Sequence, residues 1–173
     1  MAALKPQDIM IVLKICTLGG EPWSQGSLAQ SLSMSSSEIN GGLKRCLKSG
    51  LVRKQEDGKY RPLKHSLEEF LFHGLKYVFP PERGEPTRGQ PTAYAGPALK
   101  EHIQQGNDLP PVWPDPEGSV KGYAFEPLFP SVVKAIKNDE KLYRLLSLVD
   151  ALRDGRAREI KLAQKLIKNE LSS

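Results

Sequence analysis

The chain has 173 residues, 39% of them hydrophobic and 26% charged, with a formal net charge of +5. That length gives one domain, or one small domain plus an extension, of ordinary globular composition. The modest positive excess permits a nucleic-acid or other anionic partner without demanding one, and no apolar stretch is long enough to span a membrane.

Pro6 suits the first turn of a helix, and Ile9, Val12, Leu13 and Cys16 follow at helical spacing until Gly19-Gly20. The apolar run Ile9–Leu13 is bounded by Asp8 and Lys14, too short for a signal peptide, so we expect a cytoplasmic protein. Ser24 caps a short second helix carrying Leu28, Ala29 and Leu32. A tight turn through Ser33 and Met34 leads to Ser35 and Glu38, which have capping-box spacing. Ile39, Leu43, Cys46 and Leu47 then line one side of a third helix, closed by Gly50 at the C′ position. Gly41 and Gly42 interrupt that helix, each at a cost of about 1 kcal/mol relative to alanine.

LVRKQ and KYRPL flank Asp57-Gly58, a hairpin signal. Ser66 and Glu69 repeat the capping-box spacing before a fourth apolar-faced helix through Leu67, Phe70, Leu71, Gly74, Leu75 and Val78. Residues 80–127 hold ten of the 14 prolines and six of the 15 glycines, with Tyr94, Trp113, Tyr123 and Phe125 among them. Such aromatics favour an ordered extended arm laid across a surface, with a short helix near Ala98–Gln105. Asn138 is then expected to cap a helix whose Leu142, Leu145, Leu146, Val149 and Leu152 share a face, and Gly155 separates it from Ile160, Ala163, Ile167 and Leu171.

Charge is unevenly spread. Residues 1–79 carry 11 basic against 7 acidic groups, residues 80–127 carry 4 against 7, and residues 128–173 carry 10 against 6. The densest block, residues 43–64, has eight basic groups against Glu56 and Asp57, hence +6. Phosphate binding needs such concentration, and a solvated basic face is the alternative.

Helix, short helix, turn, capped basic helix and hairpin follow the order of a winged helix-turn-helix over residues 6–79. The passage from Ser24 to Leu63, ending in C-L-K-S-G-L-V-R-K, resembles the MarR-like winged-helix regulators of bacteria. Later stretches, H-G-L-K-Y-V-F-P-P-E-R-G and L-V-D-A-L-R-D-G-R-A-R-E, resemble bacterial winged-helix proteins assigned only as regulators. The resemblance implies a third helix in the major groove and a hairpin on the backbone. With Ile39 set toward the core, rotation by 100° per residue turns Ser37, Gly41, Lys44, Arg45 and Lys48 outward, with Asn40 flanking. Ser36, Ser37 and Asn40 would approach base edges or phosphates, while Lys44, Arg45 and Lys48, with Lys54, Lys59 and Arg61 of the wing, would bind phosphates. Gly41 and Gly42 stand where such regulators often carry long polar readers. They imply either close approach to the duplex or loss of specific readout.

Cys16 and Cys46 fall on apolar helix faces and read as free thiols in a reducing compartment, a disulfide between them being the alternative. His65, His73 and His102 lack metal-ligand spacing. Ser131 and Lys134 match S-x-x-K without its companion elements. No cofactor, metal or catalytic constellation is expected, and hence no enzyme. Arg153, Arg156 and Arg158 read as local ion pairs with Asp150, Asp154 and Glu159, or as a site for an anion or acidic partner.

The expected fold is mainly α with a small antiparallel β-wing: a winged helix-turn-helix over residues 1–79, a Pro-rich extended arm over 80–127 and C-terminal helices over 128–173. The expected function is that of a bacterial DNA-binding transcriptional regulator, a repressor acting as a homodimer on double-stranded DNA. Leu142–Leu152 is its candidate dimer surface. The alternative is a protein-interaction module, such as the antitoxin or adaptor partner of a toxin or enzyme.

Overall fold

The computed structural model describes residues 3–172. Helices α1 (Pro6–Thr17), α2 (Gln25–Leu32) and α3 (Ser36–Ser49) follow one another through short connections. Their ends are built as the local sequence dictates. Ser24 Oγ accepts from the Ser27 amide at 3.0 Å, and Ser35 Oγ accepts from the Glu38 amide at 3.1 Å. The Glu38 carboxylate in turn accepts from the Ser35 amide at 2.9 Å, completing a capping box. Ser33 (φ +52°) closes α2 and Gly50 (φ +81°) closes α3, both left-handed.

Strands β1 (Val52–Lys54) and β2 (Tyr60–Pro62) pair antiparallel, with Arg53 opposite Arg61 and Lys54 opposite Tyr60. The Leu63 amide donates to Leu51 O at 2.8 Å, so α4 (Lys64–His73) starts directly after the hairpin. It therefore begins ahead of Ser66, and the expected capping box with Glu69 does not form. Gly74 separates α4 from the single turn α5 (Leu75–Val78), where one continuous helix was expected.

Residues 80–127 depart most from expectation. Instead of an extended arm they form β3 (Arg83–Pro91), β4 (Pro111–Pro114) and β5 (Val120–Phe125). The C-terminal part of β3 pairs antiparallel with β4, the rest pairs antiparallel with β5, and β4 pairs parallel with β5. Each strand is bonded to the other two, which closes a miniature barrel. Prolines at 86, 91, 111 and 114 withhold amide donors and keep the ladders short. The helix expected near Ala98–Gln105 is absent; a 3-10 turn at Ala93–Ala95 and successive turns take its place.

Three helices complete the chain: α6 (Val132–Ala135), α7 (Glu140–Asp154) and α8 (Ala157–Ser172). Asp139 caps α7 by accepting from the Leu142 amide at 3.0 Å, one residue beyond the expected Asn138. Every residue from Leu145 to Arg153 is buried, so over this stretch α7 has no free face. It packs against α1, α4, α5, α8 and the 3-10 turn. Leu142–Leu152 is covered by the same chain and is not an open dimer surface. One hydrophobic cluster runs from Ile9 to Leu171 and draws on all three stretches separated in the sequence reading. No helix among the described residues is long and apolar enough to cross a membrane.

Candidate nucleic-acid interface

The outward side of α3 carries exposed Ser36, Ser37, Lys44 and Lys48, with Asn40 and Gly41 half-buried. Its inward side buries Ile39, Gly42, Leu43 and Cys46. The hairpin adds exposed Arg53, Lys54, Lys59 and Arg61. Lys54 Nζ lies 5.7 Å from the Tyr60 ring centroid, a cation–π contact across the strands. None of these lysines, nor Arg53 or Arg61, is in an ion pair among the described residues.

Arg45 behaves differently from its neighbours. Expected to face outward toward phosphate, it folds back onto α1, where Nε is 2.7 Å from Asp8 Oδ2 and an Nη nitrogen 2.8 Å from Oδ1. Asp8 is fully buried and also accepts from the Lys5 amide at 2.9 Å. A buried carboxylate needs a countercharge and hydrogen bonds, and the planar guanidinium supplies both in two parallel contacts. Hydrogen bonding to Asp8 is the main reason the Arg45 pKa lies above its ordinary value. Arg45 is therefore a structural residue joining α1 to α3.

The glycine pair belongs to the same arrangement. A Cβ on Gly42 would stand 2.5 Å from Ile11 Cδ1 and 2.9 Å from Asp8 Oδ1, so α1 sits directly on this position. A Cβ on Gly41 would stand 3.2 Å from an Arg45 Nη nitrogen, the flexible end of a side chain. Both glycines border the Asp8–Arg45 pair.

Arg53 is a further exposed cation of the hairpin, beside Lys54, Lys59 and Arg61. Its place directly opposite Arg61 follows from the hairpin register. Like charges facing each other across strands are unfavourable by a few tenths of a kcal/mol or more. A groove of about 580 Å³ separates the hairpin from the α1–α2 loop; Trp23, Tyr60, Lys59, Arg61 and Lys64 are among its lining residues.

Arg153 and Ser131 have structural partners, while Arg156 and Arg158 do not form the expected pairs with Asp150 or Asp154, which are taken by Arg153 and Arg83. Arg153 is buried, and its Nη1 donates to Asp150 Oδ1 and Glu126 O, each at 2.9 Å. Its Nε donates to Phe79 O at 2.9 Å, so Arg153 does not offer an anion site. Arg156 and Arg158 are exposed at the start of α8. Ser131 Oγ donates to Leu32 O at 2.7 Å and so anchors the start of α6 to the end of α2. Both cysteines are free, and burial pushes their thiols up to about 12. Among the described residues no group of three or more His, Cys, Asp or Glu side chains is placed to hold a metal. No protein-family model, curated protein or solved structure matches the chain.

Proposed function

We propose that the protein binds double-stranded DNA and regulates transcription, with α1–α3 and the hairpin acting as a winged helix-turn-helix. One observation carries this reading: α3 and the hairpin together expose Lys44, Lys48, Arg53, Lys54, Lys59 and Arg61 without an ion-pair partner among the described residues. Cations gathered on two adjacent elements repel one another, and phosphates relieve that repulsion. Ser36, Ser37 and Asn40 are the short polar groups available near the start of α3. Positioning on the backbone is thus better provided than base readout. A homodimer on a two-fold operator would need a face other than Leu142–Leu152.

The test is binding to duplex DNA from the protein's own upstream region, over a range of salt concentrations. Lys44→Ala with Lys48→Ala should weaken binding across sequences and flatten the log–log salt dependence by about 1.8, two contacts at about 0.9 each. Failure of the intact protein to shift this DNA at low salt would sink the reading.

A protein-interaction role is favoured by a separate observation. Tyr77 is 74% exposed and Val78 54% exposed on α5, beside the half-buried Phe79. Adjacent exposed apolar groups of this size suit a protein partner. If they serve one, Tyr77→Asp with Val78→Asp should abolish co-purification of that partner while leaving the unfolding midpoint unchanged. Retention of the partner would exclude this patch.

A further inference from the structure

The hairpin is not the only place where two cations face each other. On the miniature barrel, Arg88 of β3 lies opposite Lys121 of β5, and both are exposed. Neither forms an ion pair among the described residues. Arg88 makes only a long contact, 3.3 Å from Nη1 to Gly118 O. Opposed like charges cost stability in a sheet, where an acidic residue on one strand would have been favourable.

A chain of contacts links this pair to the start of α3. Ser131 Oγ holds Leu32 O, the last residue of α2, which fixes α6 beside the α2–α3 turn. Exposed Lys134 projects from α6 without an ion-pair partner among the described residues. Just beyond α6, Lys137 Nζ is 2.8 Å from Glu117 Oε2, in the turn between β4 and β5. That turn meets β3, because the Asp115 amide donates to Arg88 O at 2.9 Å and Gly118 O accepts from Arg88.

The acids along this path are already engaged. Glu117 is paired with Lys137, and Asp139 with Lys14 at 2.6 Å. Asp115 accepts from Gln90 Nε2 at 2.9 Å and from the Glu117 amide at 3.0 Å. Among the described residues on this path, the charges outside any ion pair are Lys134, Arg88 and Lys121, all positive.

We propose that Lys134, Arg88 and Lys121 form a second phosphate-binding strip, which holds the flank of the same DNA duplex that α3 and the hairpin engage. The inference rests on the DNA-binding reading and extends it. The strip reads no bases. It lengthens the footprint by backbone contacts and adds a salt-dependent contribution to affinity.

The experiment compares the intact protein, Arg88→Ala with Lys121→Ala, and Lys44→Ala with Lys48→Ala on duplex DNA from the upstream region, with hydroxyl-radical footprinting. The strip variant should flatten the salt dependence by about 1.8 and lose protection at one edge of the footprint while keeping its centre. Arg88→Glu with Lys121→Glu should weaken binding further in the same direction. Lys134→Ala, which disturbs no sheet contact, should flatten the slope by about 0.9. Unfolding midpoints check that every variant is folded. If the strip variants match the intact protein while the α3 variant does not, the strip is wrong and the DNA reading stands. If the intact protein binds no duplex, both fall together.

Discussion

Gly42→Leu should destabilise the fold by about 3 kcal/mol or more, whereas Gly41→Ala should leave stability unchanged or raise it by up to about 1 kcal/mol. The two glycines are adjacent in one helix, so propensity alone predicts the same gain from filling either. Packing separates them. At Gly42 even a Cβ would stand 2.5 Å from Ile11 Cδ1, and Ile11 is itself fully buried and cannot move aside freely. The same Cβ would crowd the Asp8 carboxylate at 2.9 Å. A leucine there must drive α1 from α3 and disturb the Asp8–Arg45 pair, adding overpacking to the cost of exposing a buried charge. At Gly41 the obstacle is the tip of Arg45, which needs to yield only a few tenths of an ångström. Urea unfolding of the two variants measures the difference. Equal midpoints would mean that the close approach of α1 does not govern this position.

That contrast bears on DNA binding. If the double glycine served the duplex, Gly41 would be the critical member, because it lies on the outward side. The atoms around Gly42 give the pair another purpose: a fully buried carboxylate on α1 has to be reached by a guanidinium running along α3. Arg45→Ala is therefore a poor probe of DNA contact. It leaves Asp8 buried without its countercharge, and any loss of binding would follow from loss of structure. Lys44 and Lys48, exposed on either side of Arg45 in sequence, carry the electrostatic test instead.

Local chemistry made residues 6–63 legible. Capping residues such as Ser24, Ser35 and Glu38, the left-handed position at Gly50 and the Asp57-Gly58 turn each act within a few residues, and the elements form where these signals lie. The barrel was not legible, because its pairings join residues such as Arg88 and Lys121 far apart in the chain. Prolines also replace the alternation that marks a strand. Helical periodicity misled at α7, where the apolar stripe from Leu142 to Leu152 pointed to a dimer surface, whereas the chain's own elements cover it. Ser147, Asp150 and Arg153 on the remaining surface are polar and nevertheless buried, because other parts of the chain or their own helix supply hydrogen bonds. In the candidate interface, a helical wheel gives Arg45 a direction but cannot show that Asp8 waits within its reach.

Arg153→Leu should cost about 3–5 kcal/mol at neutral pH, and the deficit should shrink as the pH falls. Arg153 and Asp150 are each about 2% exposed in their side chains and 2.9 Å apart. Asp150 Oδ2 accepts from Thr92 Oγ1 and from Trp113 Nε1, both at 2.7 Å, so this carboxylate ties the miniature barrel to α7. Arg153 in turn holds Phe79 O and Glu126 O, at the two ends of the segment that carries the barrel. Burial pushes the Asp150 carboxyl above its ordinary range, and the Arg153 charge is the strongest influence opposing that shift. Without Arg153 the folded carboxyl binds its proton more tightly than the unfolded one. Between those two pKa values the folded state holds more protons, so stability falls as pH rises through the interval. The variant should be closest to the parent in acid and furthest from it near neutrality. Asp150→Asn should also destabilise, because the buried Arg153 cation loses its countercharge, although an amide oxygen can still accept from Thr92 and Trp113. Urea midpoints of the three proteins at neutral pH and near pH 5 decide the matter. A pH-independent deficit in Arg153→Leu would assign its cost to lost packing and backbone bonds, and a midpoint equal to the parent's would remove the pair as the joint between barrel and helix.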